Sequence, residues 1–342
     1  MRATWRKHRL QFVNPVKTSR NTMSYRDAWF LTIFDNGIAG IGECAPLPGL
    51  SLDPTERVEK TLAEVCFLIE NQKTISNKIY LEFPAIKFAV EMAHLDFTQG
   101  GKGILYDNDF VTGRQALAIN GLIWMGSFDS MKLQIDEKIE SGFTVIKLKV
   151  GSLKFDDELQ LLTYIRSTYD QSIELRLDAN GAFPADKTSE YLAELSQYNI
   201  HSIEQPIAVG QTADLKKLCK DSPIPIALDE ELIPHQTVDD KRSLLENIQP
   251  QYIILKPSLV GGFSGAEEWI SIADSMGIGW WATSALESNI GLNAIAQWTA
   301  SFKPTIPQGL GTGQLYSNNL ESPLEIANGK LRYNQNKTWI RL

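Results

Sequence analysis

Cysteine and positive charge are both scarce in this sequence of 342 residues. Its three cysteines, Cys44, Cys66 and Cys219, are far apart and form no CxxC pair. That spacing argues against a disulfide framework and against a zinc knuckle, so we expect buried thiols. Lys and Arg total 33 against 41 Asp and Glu, a formal net charge of −8. This sign is wrong for a nonspecific polyanion binder, and we expect no nucleic-acid partner.

Long apolar runs are also missing. No uninterrupted stretch approaches the roughly 18 residues that indicate a membrane span. The basic start, residues 1–10, is not followed by the apolar segment of a secretory signal. We therefore predict no membrane partner and a cytoplasmic location. The 43% hydrophobic content is ordinary for a folded protein, and the length suits two domains around a substantial core.

Residues 1–113 are predicted to form an α+β capping domain. Extended runs over Trp5–Val13 and Asp27–Ile33 lead to Asn36-Gly37, a dipeptide typical of a hairpin turn. Two helical patterns follow. One begins near Pro54 and the other at Pro84, a residue type that is favourable in a first helical turn.

Residues 114–313 are predicted to form a (β/α)₇β barrel of the TIM type, which makes the fold class α/β. Short β-like runs alternate with amphipathic stretches in units of roughly 25 to 30 residues, as strand-helix repeats require. The eight candidate strands are Ala116–Ile119, Val145–Val150, Glu174–Leu177, Ser202–Ile203, Pro225–Leu228, Tyr252–Leu255, Gly279–Thr283 and a weak one at Thr305–Ile306. The tail, residues 314–342, breaks the repeat, and we expect it to return to the capping domain and complete it.

Charged residues recur at the ends of five consecutive candidate strands, at intervals of 25–29 residues. In chain order they are Lys149 with Lys147 two residues before it, Asp178, Glu204, Asp229 and Lys256. Taken singly, each has an ordinary explanation as a solvated side chain or a helix cap, and Asp229 is a good capping residue. Their recurrence at one repeat length is hard to explain in that way. In a barrel, all of these positions lie on the carboxyl rim, where active sites are found.

The residue types at this rim point to proton abstraction next to a carboxylate. Three converging carboxylates need a counterion, and a hard divalent cation with oxygen ligands suits them; we expect Mg²⁺, with Mn²⁺ as the substitute. A lysine with its ordinary pKa of about 10.4 is too basic to accept a proton at neutral pH. A neighbouring ammonium group and a metal both favour the neutral form, so we expect Lys147 to prepare Lys149 as the base.

At these residues the sequence resembles the enolase superfamily, in the lysine-bearing branch that includes muconate cycloisomerases, dipeptide epimerases and o-succinylbenzoate synthases. The resemblance implies that Lys149 is the general base and that Lys256 faces the other side of the substrate. It also implies that Asp178, Glu204 and Asp229 bind the metal. By the same resemblance, Asn180 and Glu230 support the metal ligands through hydrogen bonds. Arg176 has two readings, a hydrogen-bonding group near the site or a packed charge.

Two loops and a glycine-rich segment distinguish between the enzyme families of that branch. Residues 42–51, GECAPLPGLS, resemble the loop that covers the active site in o-succinylbenzoate synthases, which places Pro48, Gly49 and Leu50 near the substrate. The segment 283–288, TSALES, resembles a serine-rich segment of the same family, in which small donors such as Ser284 hold a second carboxylate. Residues 309–313, GLGTG, lack the Asp-x-Asp that dipeptide epimerases usually carry there. We expect Gly311 and Thr312 to face an anionic group instead.

The resemblance thus implies a hydro-lyase acting on a small dicarboxylate, 2-succinyl-6-hydroxy-2,4-cyclohexadiene-1-carboxylate, to give 2-succinylbenzoate for menaquinone biosynthesis. An N-acylamino acid racemase or dipeptide epimerase is the alternative within the superfamily, because two facing lysines suit it equally. A non-catalytic barrel that uses a metal as a structural clip is the alternative from another class. The oligomeric state stays open.

Overall fold

An antiparallel sheet of three strands begins the chain, in a computed structural model that describes residues 1–17 and 22–339. Its strands are β1 (Arg2–Lys17), β2 (Thr22–Asp35) and β3 (Ile38–Cys44), in the order β1-β2-β3. Asn36 and Gly37 join β2 to β3 with φ angles of 48° and 82°. The predicted hairpin is confirmed, because both turn residues take the left-handed conformation that Asn and Gly tolerate best.

Three helices pack beside this sheet: α1 (Val58–Glu70), α2 (Asn77–Glu82) and α3 (Pro84–Thr98). Pro84 occupies the first turn of α3, as the sequence predicts, whereas α1 follows a short 3₁₀ turn at Thr55–Arg57. Helix α3 lies directly against β3 because β3 carries glycines at the contact. A Cβ atom at Gly42 would stand 1.8 Å from the carbonyl oxygen of Ala89, so a larger residue would force the helix away.

Seven parallel strands form the curled sheet of the second region, in the order β5 to β11. They are β5 (Gly121–Ile123), β6 (Val145–Lys149), β7 (Glu174–Asp178), β8 (Ile200–Glu204), β9 (Ile226–Leu228), β10 (Tyr252–Leu255) and β11 (Gly279–Ala282). The helices after them are α4 (Phe128–Glu140), α5 (Phe155–Tyr169), α6 (Ala185–Leu195), α7 (Thr212–Asp221), α8 (Val238–Ile248), α9 (Gly262–Ser275) and α10 (Asn289–Ser301). The α/β barrel-type fold with an N-terminal cap is confirmed.

The first and last predicted barrel strands are wrong in detail. Within Ala116–Ile119, residues Leu117–Ala118 form β4, which pairs antiparallel with the tail instead of joining the parallel sheet. The first parallel strand is β5, three residues further on. No strand forms at Thr305–Ile306, because Pro304 and Pro307 flank it and offer no backbone N–H. Isolated bridges at Gln308 and Gly309 lie at that edge instead and join it to Ile119 and Thr283.

The tail contacts both regions of the chain. Tyr316 bridges Phe12 of β1, and the amide of Val13 donates to the carbonyl oxygen of Leu315 at 2.9 Å. Further on, β12 (Leu324–Ala327) and β13 (Lys330–Tyr333) form a hairpin, and β13 pairs with β4. The domain limits 1–113, 114–313 and 314–342 stay a prediction.

One buried cluster of apolar side chains runs through both the cap and the barrel. All three cysteines are buried and unpaired, which confirms the expectation from their spacing. Among the described residues, no helix is both long enough and apolar enough to cross a bilayer.

A carboxylate of the cap also holds the start of a barrel helix. Glu91 on α3 accepts hydrogen bonds from the amides of Phe263 (2.6 Å) and Ser264 (3.3 Å) in the first turn of α9. The Ser264 hydroxyl donates to the same carboxylate at 2.5 Å. These bonds satisfy donors that the first turn of a helix cannot pair internally, so they fix α9 and the loop before it against the cap.

We predict that Glu91→Ala lowers the free energy of unfolding by about 1–3 kcal/mol, because it leaves part-buried amides without an acceptor. Urea unfolding followed by circular dichroism measures the loss. Glu64→Ala, an exposed glutamate on α1, is the matched control and should change stability by less than about 0.5 kcal/mol. Equal stability of the two variants would contradict this role for Glu91.

Candidate active site

Consecutive parallel strands bring the predicted charged residues to one edge of the sheet. Lys149, Asp178 and Glu204 are the last residues of β6, β7 and β8. They are also direct neighbours in register, Lys149 with Asp178 and Asp178 with Glu204. Asp229 and Lys256 directly follow β9 and β10. The regular spacing in the sequence therefore becomes adjacency at the carboxyl edge.

Ion pairs link these side chains. The Lys147 ammonium group contacts Asp178 Oδ2 at 2.8 Å and Glu204 Oε2 at 2.6 Å. Lys149 Nζ contacts the same Asp178 oxygen at 2.5 Å. Lys256 is paired with Asp229. All three carboxylates are almost fully buried, with exposures of 0–2%. The lysines therefore act as their counterions where water cannot.

The pKa shifts follow from burial and from these pairs. Burial works against ionisation of Asp178, but Lys147 and Lys149 outweigh it and hold the pKa of Asp178 well below its ordinary value. Burial raises the pKa of Glu204 to about 8, and the adjacent charge of Asp178 contributes to the rise. Burial also raises the pKa of Asp229, against the attraction of Lys256. Burial thus opposes ionisation of all three carboxyl groups, and the two lysines beside Asp178 make it the most acidic of them.

Two of the lysines are held as cations. Burial disfavours the charge on Lys147, but Asp178 and Glu204 raise its pKa overall. Burial likewise disfavours the charge on Lys256, and Asp229 raises its pKa overall. Lys147 and Lys256 therefore remain positively charged at neutral pH.

Asn180 and Glu230 form a polar bridge beside the lysines. Lys149 Nζ donates to Asn180 Oδ1 at 2.6 Å, and Asn180 Nδ2 donates to Glu230 Oε1 at 2.8 Å. The backbone N–H of Asn180 also donates to Asp178 Oδ1 at 3.1 Å. These contacts hold Asn180 beside Lys149 and Asp178, with Glu230 behind it; the role of the two residues in supporting metal ligands stays a prediction.

Arg176 lies deeper in the barrel than the rim residues. It is 1% exposed, donates to Glu174 and to the carbonyl oxygen of Pro307 at 2.8 Å each, and stacks on Trp281. These contacts favour the second reading of Arg176, a packed charge inside the barrel.

The three rim carboxylates have the donor chemistry of a metal site, but lysines now occupy it. Across residues 1–17 and 22–339, no three or more His, Cys, Asp or Glu side chains already stand as a ready ligand set. Lysine ammonium groups take up the carboxylate oxygens instead. Glu204 Oε1, however, is buried and has no hydrogen-bond partner among the described residues. An all-oxygen donor set with a spare buried acceptor fits a hard divalent cation.

A cavity of about 130 Å³ opens beside this cluster. Lys147, Lys149, Lys256, Asn180 and Glu230 all line it, and so do five of the six residues predicted to bind substrate: Pro48, Leu50, Ser284, Gly311 and Thr312. Gly49 is not among the lining residues. With a φ of 79°, it forms the turn between Pro48 and Leu50, which both line the cavity. The cap loop and the barrel rim therefore enclose one space.

A chain of hydroxyl groups forms one wall of the cavity. Ser284 Oγ donates to Glu287 Oε2 at 2.6 Å, and Thr312 Oγ1 donates to Ser284 Oγ at 2.8 Å. Ser258, two residues after Lys256, donates to the other oxygen of Glu287 at 2.5 Å. The hydroxyl groups of Ser284 and Thr312 thus have their protons engaged and present acceptors to the cavity. Thr283 also lines the cavity, and its Oγ1 is buried with no hydrogen-bond partner among the described residues.

Sequence reasoning missed several residues of the cavity wall. Met23, Asn120 and Trp124 line it. The sequence could have indicated Asn120, because it directly follows the candidate strand Ala116–Ile119. The other rim residues were predicted from the same position, directly after or at the end of a candidate strand. Asn120 is 3% exposed and its Oδ1 has no hydrogen-bond partner among the described residues.

A curled parallel sheet with lysines and carboxylates at its carboxyl edge, below an antiparallel cap, defines an enzyme of the enolase superfamily. Residues 130–337 match the family model described as enolase C-terminal domain-like, and residues 2–97 match that of the MenC N-terminal domain. An o-succinylbenzoate synthase from Desulfotalea psychrophila is 42% identical, with 97% of this chain and 98% of that protein covered. The chain belongs to the o-succinylbenzoate synthase family.

Solved structures agree with this assignment. The crystal structure of MenC from Desulfotalea psychrophila superposes with a TM-score of 0.87 at 41% identity, covering 97% of this chain and 99% of that one. The L-Ala-D/L-Glu epimerase from Bacillus subtilis superposes with a TM-score of 0.85 at 22% identity, covering 99% and 97%. At that identity the likeness to the epimerase concerns the fold alone.

We predict that Lys147→Met destabilises the protein in EDTA by about 3–5 kcal/mol, because it leaves the buried carboxylates Asp178 and Glu204 short of a counterion. Urea unfolding measures the loss, and added Mg²⁺ should recover part of it. Lys60→Met, an exposed lysine on α1, should have little effect. A Lys147→Met protein as stable in EDTA as its parent would contradict the counterion role.

Proposed function

We propose that this protein dehydrates 2-succinyl-6-hydroxy-2,4-cyclohexadiene-1-carboxylate to 2-succinylbenzoate, the o-succinylbenzoate synthase reaction of menaquinone biosynthesis. The observation that carries the proposal is the placement of Lys149 and Lys256 on the wall of one cavity, beside three buried carboxylates. The two lysines come from β6 and from the residue after β10, with three strands between them. A planar substrate held there would have one lysine on each side.

Lys149 is assigned as the base. Its Nζ and the Lys147 ammonium group share one oxygen of Asp178, so two positive groups crowd one acceptor. Lys149 is the more exposed of the two, with 15% of its side chain exposed against 6% for Lys147, and it lines the cavity that the substrate would enter. Lys149 then takes the proton from the ring carbon next to the carboxylate. As an ammonium group it returns a proton to the departing hydroxyl group, which leaves as water.

Lys256 is assigned to electrostatic stabilisation. Its pairing with Asp229 keeps it cationic, and it lines the cavity that the substrate ring enters. From there, a fixed positive charge lowers the energy of the dianion that proton removal produces, and it attracts the face of the ring as it becomes aromatic. Loss of the hydroxyl group completes the aromatic ring and drives the second half of the reaction.

Asp178, Glu204 and Asp229 are the residues that would hold Mg²⁺, the metal that enolase-superfamily enzymes generally use, with Mn²⁺ as the expected substitute. When bound, this ion supplies positive charge at the substrate carboxylate where negative charge develops. Asn180 and Glu230 keep Asp178 and Lys149 oriented for that arrangement through their hydrogen bonds.

The second carboxylate of the substrate is assigned to the segment 309–313. Gly309, Gly311 and Thr312 line the cavity, and no acidic side chain in this segment opposes an anion. The protons of the Ser284 and Thr312 hydroxyl groups are engaged with Glu287 and Ser284, and the Gly309 amide donates to the carbonyl oxygen of Ala282. The backbone N–H groups of Gly311 and Thr312 and the Thr283 hydroxyl group are therefore the better donors here. Pro48 and Leu50 of the cap loop close the opposite wall.

The direct test is the dehydration assay with the cyclohexadiene carboxylate, in Mg²⁺ and in EDTA. We predict conversion by the parent protein in Mg²⁺, and loss of activity in EDTA that Mg²⁺ or Mn²⁺ restores. Lys149→Ala and Lys256→Ala should each reduce kcat by at least about a thousandfold with the circular dichroism spectrum unchanged, because each removes a group that acts in the reaction itself. Near-native turnover by Lys149→Ala would overturn the assignment of the base.

The same preparations separate the alternatives. Lys60→Met is the matched control for loss of a lysine, and it should keep parental kcat because Lys60 is exposed on the cap. Deuterium exchange at the α-carbon of N-succinyl amino acids, with no conversion of the cyclohexadiene, would support a racemase instead. Thermal destabilisation by EDTA, with no activity on either substrate, would support a structural metal clip.

A further inference from the structure

A buried arginine joins the cap to the barrel at the edge of the substrate cavity. Arg26 lies on β2 and is only 3% exposed. One terminal nitrogen of its guanidinium group donates to the carbonyl oxygen of Ala45, and the other donates to that of Ala285. Ala45 begins the cap loop, and Ala285 belongs to the loop after β11. One side chain therefore holds two backbone segments that are far apart in sequence.

Both segments are walls of the cavity. Leu47, Pro48 and Leu50 line it from the cap loop, within five residues of Ala45. Ala285 and its neighbours Ser284 and Leu286 line it from the barrel. The two hydrogen bonds of the Arg26 guanidinium group therefore connect these two walls directly.

Other contacts hold the barrel loop against the cap in the same place. Leu286 has a φ of 64°, which is costly for a leucine, and Tyr316 Oη donates to its carbonyl oxygen at 2.6 Å. Glu43 on β3 accepts the Ser288 amide at 2.9 Å and the Gly291 amide at 2.8 Å. The loop is thus fixed directly after Ala285, and Arg26 connects Ala285 itself to the cap loop.

We propose that Arg26 is a positioning residue, which fixes the cap loop at 45–51 to the barrel loop at 283–288 and so sets the shape of the substrate cavity. The expected effect on kcat/KM rests on the proposed function, whereas the expected effect on the two loops does not. The planar guanidinium group suits the task because it presents two N–H groups in a fixed fork, one for each carbonyl group. A lysine has one nitrogen and cannot reproduce that geometry.

Arg26→Met tests the proposal, because it keeps an apolar stem of similar length and removes the fork. We expect kcat/KM to fall about 10- to 100-fold, mainly through a higher KM, since Lys149, Lys256 and the carboxylates are untouched while the cavity wall is misplaced. Arg26→Lys should lie between parent and Arg26→Met. Hydrogen exchange should accelerate in the 45–51 and 283–288 segments together, with no matching change at β6–β8. A general loss of stability would raise exchange throughout the protein.

Arg9→Met is the matched control. Arg9 lies on β1 of the same sheet, where it is exposed and paired with Asp27. Its replacement should leave kcat/KM and the hydrogen exchange of both loops unchanged. Arg26→Met with kcat/KM within twofold of the parent, or with parental exchange in both loops, would overturn the proposal. If Arg26→Met does not fold, the same two criteria apply to Arg26→Lys. If the parent protein does not dehydrate the cyclohexadiene, the proposed function fails, and the exchange measurement alone decides the role of Arg26.

Discussion

Neutralisation of three buried carboxylates is the constraint on which the site depends. Asp178, Glu204 and Asp229 stand at adjacent strand ends with almost no exposure to water, so their charges need partners inside the protein. Lys147, Lys149 and Lys256 supply them. The proposed reaction requires a metal site and a pair of lysines on opposite sides of the substrate. Both are provided by the same cluster of ion-paired carboxylates and lysines.

The rim residues were predictable from the sequence because a parallel barrel converts regular spacing into adjacency. Lys149, Asp178 and Glu204 are register neighbours for that reason. The fold class was predictable from the same repeat. The ends of the barrel were not, because Pro304 and Pro307 suppress the last strand, and because β4 pairs with a tail more than 200 residues away. Local patterns carry no information about such distant partners.

Contacts between the cap and the barrel were equally hidden from the sequence. Arg26, Glu43 and Glu91 each lie on a cap element and each bind backbone groups of the barrel. Nothing in their spacing indicates this, since each partner is more than 150 residues away along the chain. The charges that do the chemistry therefore come from the barrel repeat, whereas the shape of the cavity comes from polar contacts that only the folded chain creates.

Calorimetric titration of the metal-free protein with Mg²⁺ tests the central claim most directly. The cation has to displace the lysine contacts to reach the carboxylates, and because burial raises the pKa of Glu204 to about 8, we expect its binding near neutral pH to release protons. Titrations in two buffers of different ionisation enthalpy report the protons exchanged. The account predicts one binding site with net proton release, weakened by Glu204→Gln. Absence of binding, or binding without proton release and indifferent to Glu204→Gln, would contradict it.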